Sequence, residues 1–409
     1  MSSPIARTPK PAQLALYWLG IQTVWGALLA ISLQARSTKL HAIDALVAYG
    51  ILATSGAIVA AVVQVVAGVL SDRRRRTTSD RIAFYLGGGV VGAIGIVWFY
   101  LAPSFPQLVG AYAIVQLGLN VAMAAYQPII PDVVEPGATG VASSWMAALQ
   151  LLGNAIGAIL ASLIADARIV AGAIVALLLA TCWRTAAHVR DLPLREADGA
   201  AATAAPKGAF LNLFGSRAMV YTGFFTLIGY LLFYVKTNAP TANLTDVTAM
   251  TGYMVLAFTL AGAIGAALAA RPSDRSDKRA VASFGGAGVV AALLVLIATH
   301  DVRVAFAATA FAGAAWGVFL VADWALGCRV VPATALATSM AIWNLAIVIP
   351  QIVAPSLTTV AVARFGALAG LDAPRLAFSL ASLEILIGLL WIWCLPSAIA
   401  RNNARSVRI

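Results

Sequence analysis

The sequence predicts an all-α membrane protein with twelve transmembrane helices in two pseudo-symmetric six-helix bundles. Three observations carry this. Hydrophobic residues make up 61% of the 409 positions and charged ones only 11%, with a mean hydropathy of +0.89, too little charge to coat a water-soluble globule. Apolar runs bounded by charge, Pro or Gly recur near 14–33, 45–70, 82–102, 108–131, 141–165, 168–188, 217–235, 247–270, 280–299, 303–329, 333–361 and 376–397, lengths that can cross about 30 Å of hydrocarbon. The chain also echoes itself: Val134, Pro136, Ser143 and Met146 return as Val330, Pro332, Ser339 and Ile342 at one offset of 196. Parallel repeats of this kind place a binding site between two halves that rock about it.

Taken in order, the first run follows only Arg7 and Lys10. Its length and the apolar spans behind it make it a retained helix and not a cleaved signal. The second run ends in Gly68-Val69-Leu70-Ser71-Asp72-Arg73-Arg74-Arg75-Arg76, and Arg81 precedes the next. Such charge density cannot lie in hydrocarbon, so this stretch is a tight polar turn. Gly68 permits a close helix approach there. Asp72 can accept from a helix start while pairing with an arginine, forming a conformational latch. A weaker copy, Arg271-Pro272-Ser273-Asp274-Arg275, lies between the eighth and ninth runs.

Roughly three-quarters of the 27 Lys and Arg flank the termini and the even-numbered loops, which puts both termini in the cytoplasm of a multi-pass inner-membrane protein. The one long connection, 189–216, is rich in Ala, Pro and charge and reads as a linker between bundles 1–188 and 217–409.

The net charge of +11 is therefore topogenic and does not call for nucleic acid. Cys182, Cys328 and Cys394 are few, distant and apolar in setting, so neither a disulfide nor a metal site is expected. No P-loop or other cofactor motif is present, and the three histidines sit in no constellation of acid, base or metal, so no enzyme is expected.

Polar residues inside the spans are the functional candidates. The first span carries Trp18, Gln22, Trp25 and Ser32 on one face, as a cavity wall or as interfacial anchors and interhelical bonds. The fourth carries Tyr112, Gln116, Asn120 and Gln127 as a stripe with Tyr126 beside it, then Pro128, Pro131 and Asp132. The fifth adds Gln150 and Asn154. Amides suit the hydroxyls of sugars and other neutral polar ligands, and aromatic faces suit pyranose or flat aromatic surfaces. Interhelical hydrogen bonding is the alternative for each. The seventh span offers Tyr230, the tenth Trp316 and Trp324, and the eleventh Trp343, Asn344 and Gln351. The costliest residue is Asp323, 196 positions after Gln127. An intramembrane carboxylate that is desolvated in one state and hydrated in another can exchange a proton. A buried structural pairing, with Arg329, is the other reading. Glu384 in the last span is a further acid.

Gly68-x-Leu70-Ser71-Asp72-Arg73 resembles the loop motif of major facilitator superfamily transporters, here without the glycine that usually follows the Asp-Arg pair. Tyr126-Gln127-Pro128-Ile129-Ile130-Pro131-Asp132, Asp323-Trp324-Ala325-Leu326 and Ile342-Trp343-Asn344-Leu345-Ala346 resemble the glycoside/sucrose–cation symporter branch. That resemblance implies a proton-coupling role for Asp132; a charge network with Arg73 or Arg329 is the competing one. It also implies an embedded arginine in the eighth span, and none is there.

The reading is a monomeric secondary transporter of a small polar or amphipathic solute, with a sugar or glycoside as the leading substrate, driven by protons. An exporter of drugs or natural products, and a non-transporting assembly factor on the same fold, are the alternatives.

Overall fold

The computed structural model describes residues 8–40, 45–194, 207–239, 244–331 and 335–401, and helices dominate them. In chain order they are α1 (Pro11–Ala27), a π-helical Leu28–Ser32, α2 (Leu33–Leu40), α3 (Ala45–Arg74), α4 (Thr78–Leu101), α5 (Phe105–Tyr126), α6 (Ile129–Val133), α7 (Thr139–Leu163), α8 (Ala167–Val189), α9 (Lys207–Asn238), α10 (Leu244–Arg275), α11 (Lys278–Ala298), α12 (Val302–Val330), α13 (Leu336–Ala369), α14 (Ala373–Trp391) and α15 (Ser397–Ala400). Eleven of the described helices are long and apolar enough to cross a membrane. The twelfth expected span is the first one. The π turn breaks it into helices of 17 and 8 residues, although helical backbone runs on from Pro11 to Leu40.

The outward faces are apolar. On α3, Ile58, Val62, Val66 and Leu70 follow one another at one-turn intervals, and each is 46–61% exposed. A row of exposed branched side chains suits lipid and not water.

The chain forms two compact units, Met1–Ala204 with Val331–Trp343, and Ala205–Val330 with Asn344–Ile409. Within the first, α1 packs on α7 and α8, α4 on α5 and α8, and α3 on α5. Within the second the pattern returns, with α9 on α14, α11 on α12 and α14, and α10 on α12. Glycines set the closest approaches. A Cβ at Gly88 would stand 2.6 Å from the backbone of both Gly118 and Ala122, and one at Gly285 would stand 2.5 Å from Phe319 N and 2.8 Å from Ala315 O. Van der Waals packing of this kind, and not a hydrophobic driving force, holds helices together in lipid.

Two expectations change. The turn after α3 is shorter than the charge pattern suggested: α3 continues through Arg74 and α4 starts at Thr78. Asp80 closes it by accepting from the backbone N–H groups of Arg76 (2.7 Å) and Thr77 (2.6 Å), which removes the need for the missing glycine. The linker is shorter as well, because α9 starts at Lys207, inside the stretch read as 189–216. Ala209, Leu213 and Ser216 are buried there, and Ser216 Oγ donates to Gly388 O at 2.7 Å. Residues 195–206 of the linker and Pro332 of the internal echo lie outside the described residues.

Candidate functional site

The arginine-rich turn builds a closed polar cluster. Arg81 is 3% exposed; its Nε donates to Asp132 (2.8 Å), Nη1 to Ser71 Oγ (2.8 Å) and Nη2 to Asp72 (3.1 Å). Arg75 reaches the other Asp132 oxygen at 2.7 Å. Asp72 in turn accepts from the backbone N–H of Ala337 (3.0 Å) and of Thr338 (2.8 Å) and from Thr338 Oγ1 (2.8 Å). These amides belong to the first turn of α13, where a carboxylate meets both orphan donors and the positive end of the helix dipole. A Cβ at Gly68 would lie 2.9 Å from Ala337 O, so only glycine lets α3 come this near. The arginine is a correction: Arg73 is exposed, and the cation that serves both Asp72 and Asp132 is Arg81. Asp132 thus joins this network through Arg81 and Arg75, and neither Arg73 nor Arg329 is its partner.

The weaker copy is wired differently. Asp277 is one of its ion-pair centres: it binds Arg279 Nη2 at 2.7 Å and Arg401 Nε at 3.2 Å. Burial pushes the Asp277 carboxyl up, but the Arg279 hydrogen bonds outweigh it and hold the group below its usual range. Arg279 also donates to Leu395 O, and Arg329 to Ile399 O and Arg401 O, tying the segment around α15 to this end.

In the first unit the predicted polar face separates into used and available groups. Tyr126 is fully buried; its hydroxyl donates to Leu14 O (2.5 Å) and accepts from Trp18 N (3.3 Å), and its ring meets Tyr17 and Tyr85. Trp18 Nε1 donates to Gln150 Oε1 at 3.0 Å. Asn120 donates to Gln116 O and Oε1, and Gln116 to Tyr112 Oη, so the α5 stripe is bonded along its own helix. Gln127 Oε1 accepts from Gln64 at 3.4 Å, while its Nε2 is buried without a partner. Gln22, Trp25 and Asn154 lie along the α1–α7 seam, where Gly153 and Gly26 bring the backbones together. No side-chain hydrogen bond of theirs occurs among the described residues.

In the second unit Asp323, 2% exposed, pairs with Arg217 of α9, itself 1% exposed. This corrects the expected Arg329 pairing: the partner lies in another span. The Arg217 guanidinium also sits 5.0 Å from the Tyr221 ring centre. Tyr221 in turn abuts Trp316, which stacks on Phe224 at 4.3 Å. Trp316 and Trp324 are core residues here, and Trp343, which belongs to the first unit, is fully buried as well. Asn344 is buried and Gln351 half-buried. Tyr230 Oη meets Thr359 Oγ1 at 3.2 Å. Glu384, half-buried, accepts from Thr226 at 3.3 Å, and Thr226 meets Thr358 at 2.9 Å.

Arg217 and Arg81 are the residues that sequence reasoning missed. Arg217 stood at the edge of the span read as 217–235 and so resembled a flanking charge. The apolar stretch Ala209–Phe214 upstream was the available signal that the helix starts earlier.

The profile of the Major Facilitator Superfamily matches residues 14–355. The chain belongs to the major facilitator superfamily. A search of curated protein sequences returns no significant match. Solved structures of the superfamily share the fold at low identity. The human organic anion transporter MFSD10 (TETRAN) superposes with a TM-score of 0.71 at 12% identity, covering 94% of this chain and 100% of its own. The transporter FucP in its outward conformation gives 0.70 at 12%, covering 94% and 98%. The proton:xylose symporter XylE bound to 6-bromo-6-deoxy-D-glucose gives 0.66 at 14%, covering 94% of each chain. At these identities the likeness establishes the fold of this major facilitator protein and leaves its solute to its own residues.

Proposed function

We propose that this major facilitator protein is a proton-coupled secondary transporter of a small polar or amphipathic solute, with a sugar or glycoside first in line. It acts as a monomer in the inner membrane with both termini cytoplasmic. The buried Arg217–Asp323 pair carries the reading. Replacing a buried ion pair by apolar residues of similar volume is often neutral or stabilising, so such a pair in a hydrocarbon-facing protein is poor glue. Charged residues inside membrane spans instead mark ion and substrate pathways. Protonation of Asp323 would release Arg217, and hydration of the pair in one state but not the other would link the proton gradient to the cycle. Asp132, bound by two arginines, acts in the latch in this reading, and Glu384 with its threonines is a secondary proton site.

Sugar chemistry is supported by the amides that the first unit leaves available and by the fold shared with a proton:xylose symporter. The solute contacts proposed are Gln22, Trp25, Gln127, Asn154, Asn344 and Gln351. Truncating any that bonds the solute should weaken binding by about 1–3 kcal/mol. A second reading, transport of an organic anion that competes with Asp323 for Arg217, follows from the buried guanidinium and the MFSD10 likeness.

The test uses proteoliposomes. Asp323→Asn should retain solute counterflow and lose accumulation driven by a pH gradient; wild-type accumulation by this variant would remove Asp323 from coupling. A thermal-shift screen of sugars against organic anions separates the two solute classes.

A further inference from the structure

The second unit has a lateral groove of about 570 Å³ between α10 and α12, walled by Met250, Tyr253, Ala257 and Leu260 on one side and Phe306 on the other, with Arg303 at its rim. We propose that this groove holds one glycerophospholipid, with an acyl chain along α10 and its phosphate on the Arg303 guanidinium.

The groove is cut into two helices that are long and apolar enough to cross a membrane, and its lining is apolar apart from Arg303, so it suits hydrocarbon better than water. Its depth fits one leaflet. Met250 to Leu260 is ten residues of helix, about 15 Å at 1.5 Å per residue, which is half of a hydrocarbon core of about 30 Å. Its wall follows a helical face, with Met250, Tyr253, Ala257 and Leu260 three or four residues apart. Just beyond it, glycines close the seam: a Cβ at Gly313 would strike Phe258 O, and one at Gly317 would strike Gly262 O. Beyond the groove the two helices are therefore in backbone contact, and the space between them ends there.

Charge decides which occupant fits. Arg303 is exposed in the first turn of α12, at the same end of the helices as Met250. Its guanidinium forms no hydrogen bond or ion pair among the described residues. The nearby acid is engaged elsewhere, since Asp301 Oδ1 accepts from Arg303 N at 2.7 Å and so caps the helix. A cation at the head of a leaflet-deep apolar slot is complementary to a phosphodiester that carries its own apolar tail. The exposed ring of Tyr253 suits the ester level of the interface.

The experiment is native mass spectrometry of the full-length protein titrated with phosphatidylglycerol. One lipid should survive activation that strips the rest. Arg303→Gln should lower its occupancy about fivefold. Ala257→Phe, which fills the groove and keeps the arginine, should lower it similarly, with melting temperatures confirming that both variants fold. Phosphate-free diacylglycerol should not compete. Three results would overturn the proposal: unchanged occupancy in both variants, equal retention of diacylglycerol, or a change in oligomeric state in place of lipid loss, which would make the groove a protein interface.

Discussion

Arg217 and Asp323 show how much a single residue's meaning depends on where its helix begins. A cation at the end of a span snorkels to water. Eleven residues into α9 (Lys207–Asn238), the same side chain is sealed at 1% exposure and needs its carboxylate. Asp323 was legible as a costly acid because its apolar neighbours extend far on both sides; its partner was not, because pairing across helices leaves no trace in local spacing. The same limit explains Arg81, which is only one of many arginines in its segment until the fold brings Asp72 and Asp132 to it. The amide stripe of α5 was legible as polar, but its internal hydrogen bonds were not. Removing one member of the buried pair should be far worse than removing both. Arg217→Leu alone should destabilise the protein by about 3–5 kcal/mol, and Arg217→Leu with Asp323→Leu should recover most of that. Thermal or denaturant unfolding of the singles and the double in one detergent measures it, and additive losses would show that the two charges are not coupled.

At the scale of elements, hydropathy located the spans well, since each must cross the same thickness of hydrocarbon. Helix ends were less visible, as at α3 and α9, where polar or charged residues continue the helix past the apolar run. The repeat runs deeper than the motif residues that revealed it. Gly88 and Gly285 are 197 positions apart, and each meets the backbone of the following helix, α5 or α12. Arginine capping also recurs without a shared sequence position. Arg36 donates to Ala102 O, the C-cap of α4, while Arg375 donates to Thr299 O, the C-cap of α11. Each satisfies an orphan carbonyl at a helix end. Because the glycine contacts are with backbone, they cannot give way as a side chain would. Gly88→Val and Gly285→Val should each cost about 1–3 kcal/mol or more by overpacking. Gly172→Ala, where a Cβ meets nothing within 4 Å, should be neutral or stabilising by up to about 1 kcal/mol. Melting temperatures of the three variants give the comparison, and an equal loss at Gly172 would mean that the effect is not steric.

Across the whole molecule, one carboxylate joins segments 265 residues apart in sequence: Asp72, at the end of α3, caps the first turn of α13. The sequence suggested a carboxylate at a helix start, but not which helix, because the motif specifies an anion and a close approach while the receiving amides can belong to any chain segment. Compactness shows the consequence, since Val331–Trp343 groups with the first unit although the rest of α13 belongs to the second. The Asp72 cap sets how firmly the first turn of α13 is held. Asp72→Asn keeps the shape and loses the charge, so it should weaken the hydrogen bonds to Ala337 and Thr338 and the pairing with Arg81 together. Hydrogen exchange at those two amides should then speed up, solute uptake should fall, and solute affinity should change little, because none of the proposed solute contacts touches this cluster. If exchange at Ala337 and Thr338 stayed at the wild-type rate while solute binding disappeared, Asp72 would belong to the binding site and the latch would have to be sought elsewhere.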